Sequence, residues 1–142
     1  MPMEDAEFDE LARRASDLVV AGEHEQAIEV LEKLVHSDRP DFDRAMMCLN
    51  IAIVCDQLGD SKRALEQYNR AIDIERPTGS YYIAQHKAVY LSKLGMHAES
   101  SRSFQELLRH PKLTPESRDA FEQNIATLAR LRAEQEQKDR TG

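Results

Sequence analysis

Three times along the chain a helix-like segment is broken at a single glycine and resumes at once, in Ala21-Gly22-Glu23-His24, Leu58-Gly59-Asp60-Ser61 and Leu94-Gly95-Met96-His97. These glycines lie 37 and 36 residues apart, and other positions return in the same register. Ala15, Ala52 and Ala88 stand seven residues before a glycine; Ala27, Ala64 and Ser100 stand five after it. Leu31, Tyr68 and Phe104 follow by nine, and Leu34, Ala71 and Leu107 by twelve. A fixed period of this length marks stacked supersecondary units, none of which buries its apolar stripe alone. Glycine enters the left-handed conformation that ends a helix, small residues let two helices approach, and Asp60 is placed to cap the second helix of its pair.

The spacing predicts helices over about 4–21, 24–36, 41–58, 61–75, 80–94 and 97–109. Thr114-Pro115-Glu116 then reads as an N-cap with proline at the first helical position. Ala120, Phe121, Asn124, Ile125, Leu128 and Leu131 continue at helical spacing, as in a helix covering the open end of a stack. Beyond Ala133 almost every residue is polar, so the end is expected to fray. The expected organisation is a single domain over 1–137, with repeats at 8–40, 45–77 and 81–111, a capping helix at 114–137 and a polar tail at 138–142.

The run Leu49-Asn50-Ile51-Ala52, then Leu58-Gly59-Asp60, Ala64-Leu65, Tyr68, Ala71-Ile72 and Pro77, resembles the tetratricopeptide repeat, and Pro40 closes the first unit in the corresponding place. The resemblance covers roughly residues 8–111. The family's bulky aromatic early in the first helix is replaced by Leu11, Cys48 and Ala84, and the third unit has Ser100 for the usual alanine. The implied fold is all-α, an α-α superhelix: a solenoid of three helical hairpins plus a capping helix. The implied function is a non-catalytic module, an adaptor, scaffold or chaperone-like protein that binds another protein.

In such a stack the first helix of each pair lines a concave surface. The residues placed there, by geometry and by resemblance, are Arg13, Ser16 and Val20; Met46, Leu49, Asn50, Ile53 and Gln57; and Tyr82, Gln85, His86, Val89 and Lys93. Met46, Leu49 and Ile53 form an apolar stripe separate from the core stripe Cys48, Ile51, Ala52 and Cys55. A helix apolar on two sides is either buried on both or has a face for a partner. One expectation is a groove for a peptide or helix with apolar anchors; the other is that a terminal segment of the chain fills it. Some members of the family grip acidic C-termini of heat-shock chaperones with Lys and Asn, then Asn, then Lys and Arg. Only Asn50 matches that clamp here. Ala12 and Ser16 replace the first pair and Tyr82 and His86 the last, so the clamp is not expected.

Other chemistry is argued down by composition and spacing. With 26 acidic and 19 basic residues the net charge is −7, and no Lys/Arg cluster provides the cationic patch that nucleic acid requires. The longest apolar run, Ile51 to Cys55, is too short to span a membrane. The acidic start, Met1 to Glu7, is unlike a secretory signal. Cys48 and Cys55 stand two helical turns apart, about 10 Å along one helix, too far for a mutual disulfide. Reduced, buried cysteines suit a cytoplasmic location. His24, His36, His86, His97 and His110 form no ligand-spaced pair, and the glycines make no phosphate loop. No metal, no cofactor and no catalytic residue is expected. Two alternatives to partner binding remain: a homo-oligomer formed by the apolar stripe or capping helix, and an accessory subunit of a separate enzyme or regulator.

Overall fold

Each of the three repeated glycines ends a helix in the same way. In the computed structural model, which describes residues 2–142, Gly22, Gly59 and Gly95 have φ of 81°, 78° and 78°. The amide of the residue after each glycine donates to the carbonyl five positions back: Glu23 to Leu18 at 2.8 Å, Asp60 to Cys55 at 3.0 Å and Met96 to Leu91 at 3.0 Å. The glycine amide itself donates three positions back, to Val19, Asp56 and Ser92. This pair of bonds is the Schellman closure, which satisfies carbonyls that a helix end leaves open.

The helices so delimited are α1 (Asp5–Val20), α2 (His24–Val35), α3 (Asp41–Gln57), α4 (Ser61–Glu75), α5 (Tyr82–Lys93), α6 (His97–Leu107) and α7 (Pro115–Thr141), with a 3₁₀ turn at Arg76–Thr78. Among the described residues there is no strand. The fold is all-α, and helix–glycine turn–helix recurs three times before α7. The chain forms two compact units, Met1–Ile83 and Ala84–Gly142, and the division falls inside α5.

In the first unit, α2 packs on both α1 and α3, and α3 packs on α4. Small residues stand in the core of these helices: Ala27, Ala45, Ala52, Ala64 and Ala71 are all fully buried. Ile28, Leu31, Leu34, Ile51 and Tyr68 fill the space around them. Asp60 accepts from the Arg63 amide at 3.1 Å, as a capping residue should. Two ion pairs join the second helices across an identical 38-residue offset, Arg63–Glu25 at 2.8 Å and Arg70–Glu32 at 2.7 Å. The arginine partners hold both carboxyls below the usual carboxylate range. Surface and part-buried pairs of this kind contribute little net stability.

Arg39, between α2 and α3, gathers the beginnings of two helices. Its guanidinium lies 2.6 Å from Asp5 of α1 and 2.9 Å from Asp43 of α3, and 4.8 Å over the Phe8 ring. Arg44 donates to the Val35 carbonyl at 2.7 Å and closes the end of α2. Glu75, at the end of α4, is only 1% exposed and accepts from the Ile83 amide at 2.8 Å and the Ser80 hydroxyl at 3.1 Å. It therefore caps the first turn of α5 from outside that helix.

In the second unit, the departure at Ser100 has a physical account: its buried hydroxyl donates to the Ala88 carbonyl at 2.6 Å, joining α6 to α5. Phe104 of α6 and Phe121 of α7 are buried with ring centroids 5.5 Å apart, and Leu107 and Leu128 are buried in the same unit. Thr114 caps α7 by accepting from the Ser117 amide at 3.1 Å, with Pro115 at the first helical position. The helix continues to Thr141, past the boundary at 137 and the fraying expected after Ala133. Good helix formers, the Gln135–Asp139 bond at 3.0 Å, and Lys138 and Arg140 at the negative helix end account for the extension.

A Cβ added at Gly59 meets nothing within 4 Å, so the cost of substitution lies in its positive φ alone. Gly59→Ala should destabilise the chain by about 1 kcal/mol without altering its helicity, as read by urea denaturation and circular dichroism.

Candidate partner-binding surface

Helical spacing places Arg13, Ser16 and Val20 on one side of α1, and all three are exposed, away from the buried Ala15. Val20 is 86% exposed. On α3, Met46 and Asn50 are half-buried, Ile53 is 37% exposed and Gln57 is exposed. The sides of α1 and α3 that carry these residues belong to the first unit, and Arg39 ties the first turns of the two helices.

Leu49 departs from the expected site: it is 2% exposed. It is a core residue alongside Ile51, Ala52 and Cys55, and it offers nothing to a partner. The reason lies in α3, where Ala45, Met47, Cys48, Leu49, Ile51, Ala52, Val54 and Cys55 are all buried. A helix apolar around most of its circumference gives sequence spacing little with which to separate an inner edge from an outer face.

Phe42, outside the expected set, is 45% exposed one helical turn before Met46. The signal was the period itself: Phe42, Met46, Asn50, Ile53 and Gln57 advance by four, four, three and four.

In the second unit, Gln85 and His86 are half-buried, while Val89 and Lys93 are exposed; Tyr82, at the start of α5 and in the first unit, is exposed. Val89 borders a crevice of about 110 Å³ with Ser92, Phe104, Asn124, Thr127 and Leu128. The chain's own α7 thus forms part of the surroundings of Val89.

Cys48 and Cys55 are fully buried free thiols, and burial pushes both pKa values up, that of Cys48 to about 11. The Cys48 thiol donates to the Gln67 carbonyl at 3.5 Å, within the α3–α4 contact. Among the described residues no group of three His, Cys, Asp or Glu side chains is arranged to hold a metal ion, and no helix is long and apolar enough to cross a membrane.

Residues 45–78, which comprise nearly all of α3, its glycine turn and α4, match the family model of the tetratricopeptide repeat. That segment has the sequence of one tetratricopeptide repeat, and repeats of this family generally mediate contacts between proteins. No curated protein matches the chain.

Two measurements check these assignments. Leu49→Ala should cost about 2–5 kcal/mol in urea denaturation, whereas Ile53→Ala should cost less than about 1 kcal/mol. A thiol reagent applied at pH 8 should leave both cysteines unmodified in the native protein and label both once it is unfolded, because neither burial nor thiol ionisation favours attack.

Proposed function

We propose that this chain is a non-catalytic adaptor that holds a segment of another protein against the exposed sides of its first helices. One observation carries the proposal: α3 keeps a full apolar core and still presents Phe42 and Ile53 outward, with Met46 between them. Apolar side chains aligned along one outward ridge, where a solvated helix would carry polar ones, suit the helix-in-groove or extended-peptide mode of recognition. Within the same unit, Val20 and Tyr82 extend the set to α1 and the start of α5. The arrangement of the whole as three repeats with a capping helix in one domain belongs to the same proposal, as does a cytoplasmic setting for the reduced thiols.

The test is affinity capture from lysate of the source cells with the full chain, compared with a Phe42→Glu/Ile53→Glu variant. Both positions are exposed, so melting should be nearly unchanged while a protein retained by the wild type is lost. Retention of the same proteins by both forms would place binding elsewhere on the molecule.

A further inference from the structure

Charge is divided unevenly between the two units. Residues 1–83 carry 18 acidic and 9 basic side chains, a net −9, whereas residues 84–142 carry 8 acidic and 10 basic, a net +2. The overall charge of −7 therefore resides in the unit that presents Phe42, Ile53 and Val20. Many of its acids are committed: Asp5 and Asp43 to Arg39, Glu25 to Arg63, Glu32 to Arg70, Asp60 to its capping bond and Glu75 to the first turn of α5.

Asp9, Glu10 and Asp17 differ. They are exposed, and none is engaged with another described residue. Helical spacing puts them on the same outer side of α1 as Val20, with the exposed Arg13 and Arg14 beside them. Asp9 and Glu10 suit the positive end of a helix, but Asp17 lies in the last turn, which holds no basic residue. Val20, one turn on, is the most exposed of the large apolar side chains. An anion near a negative helix end and a bare valine are each locally unfavourable, and they stand three residues apart on one surface.

We infer that the exposed sides of α1 and α3 dock a cationic amphipathic segment of another protein, whose apolar side chains meet Phe42, Ile53 and Val20 and whose lysines or arginines meet Asp9, Glu10 and Asp17. The inference rests on the proposed binding function and adds the charge of the partner. Complementary charge speeds encounter and selects among partners, and it weakens with salt; the apolar contacts supply most of the affinity.

The test uses the full chain and two fluorescein-labelled amphipathic peptides with the same leucine pattern, one with lysine at the polar positions and one with glutamate. Anisotropy titration should show binding of the lysine peptide alone, about tenfold weaker in 300 mM than in 50 mM NaCl. The variant Asp9→Asn/Glu10→Gln/Asp17→Asn should lose at least about fivefold in affinity, and Phe42→Ser/Ile53→Ser should lose as much, with native helicity in both. A control on α2 and α4, Glu29→Gln/Glu66→Gln/Asp73→Asn, should stay within about twofold of wild type.

Equal losses in the two charge variants would mean diffuse attraction and overturn the inference. Equal binding of the two peptides, lost in Phe42→Ser/Ile53→Ser, would overturn it too, while leaving the proposed function standing. Binding of neither peptide also overturns it. So does a dimer in sedimentation that Ile53→Ser dissociates, because the occupant is then a second copy of this chain.

Discussion

One backbone torsion, repeated, sets the layout of this molecule. A positive φ at Gly22, Gly59 and Gly95 lets each first helix stop with its carbonyls paired and the next helix start two residues later. The turn is so short that the two helices have to lie against each other. That is affordable only where their facing residues are small, which is the role of the buried alanines at positions 27, 45, 52, 64 and 71. The close contact of α1 with α2 and of α3 with α4 follows from that closure.

The elements governed by this local rule were readable from sequence. The glycine turns, the Asp60 and Thr114 caps, the alanine contacts and the helix limits through α6 agree with the spacing to within two residues. These features depend on a residue and its near neighbours along the chain. Features that depend on distant neighbours were less legible. Leu49 shares its type and period with exposed residues, and burial around nearly all of α3 removes the contrast that separates the two classes. Glu75 carries no sequence mark of burial, because its partners are an amide and a hydroxyl that arrive only when the following turn folds back. The polar end of α7 is helical for intrinsic reasons, since it has almost no apolar periodicity to read.

The surface shows which physical demands the fold leaves unmet. Ser100 and Cys48 each depart from the usual residue of the repeat, and both are accounted for internally, by the bonds to Ala88 and Gln67. Phe42, Ile53 and Val20 have no such internal account. Nor do Asp9, Glu10 and Asp17 of α1. What remains after the fold is explained is apolar surface beside uncommitted negative charge, and these are the ingredients of recognition.

Glu75 has a further consequence. The Ile83 amide in the first turn of α5 is satisfied by a carboxylate belonging to α4, and Ser80, which also donates to that carboxylate, accepts from the Tyr82 amide. The start of the third first helix is thus templated by the end of the hairpin before it, as a zipper tooth engages only after its predecessor. A chain emerging from its N-terminus meets these requirements in the order in which they arise. One side chain of α4 thus couples the end of one hairpin to the start of the next helix.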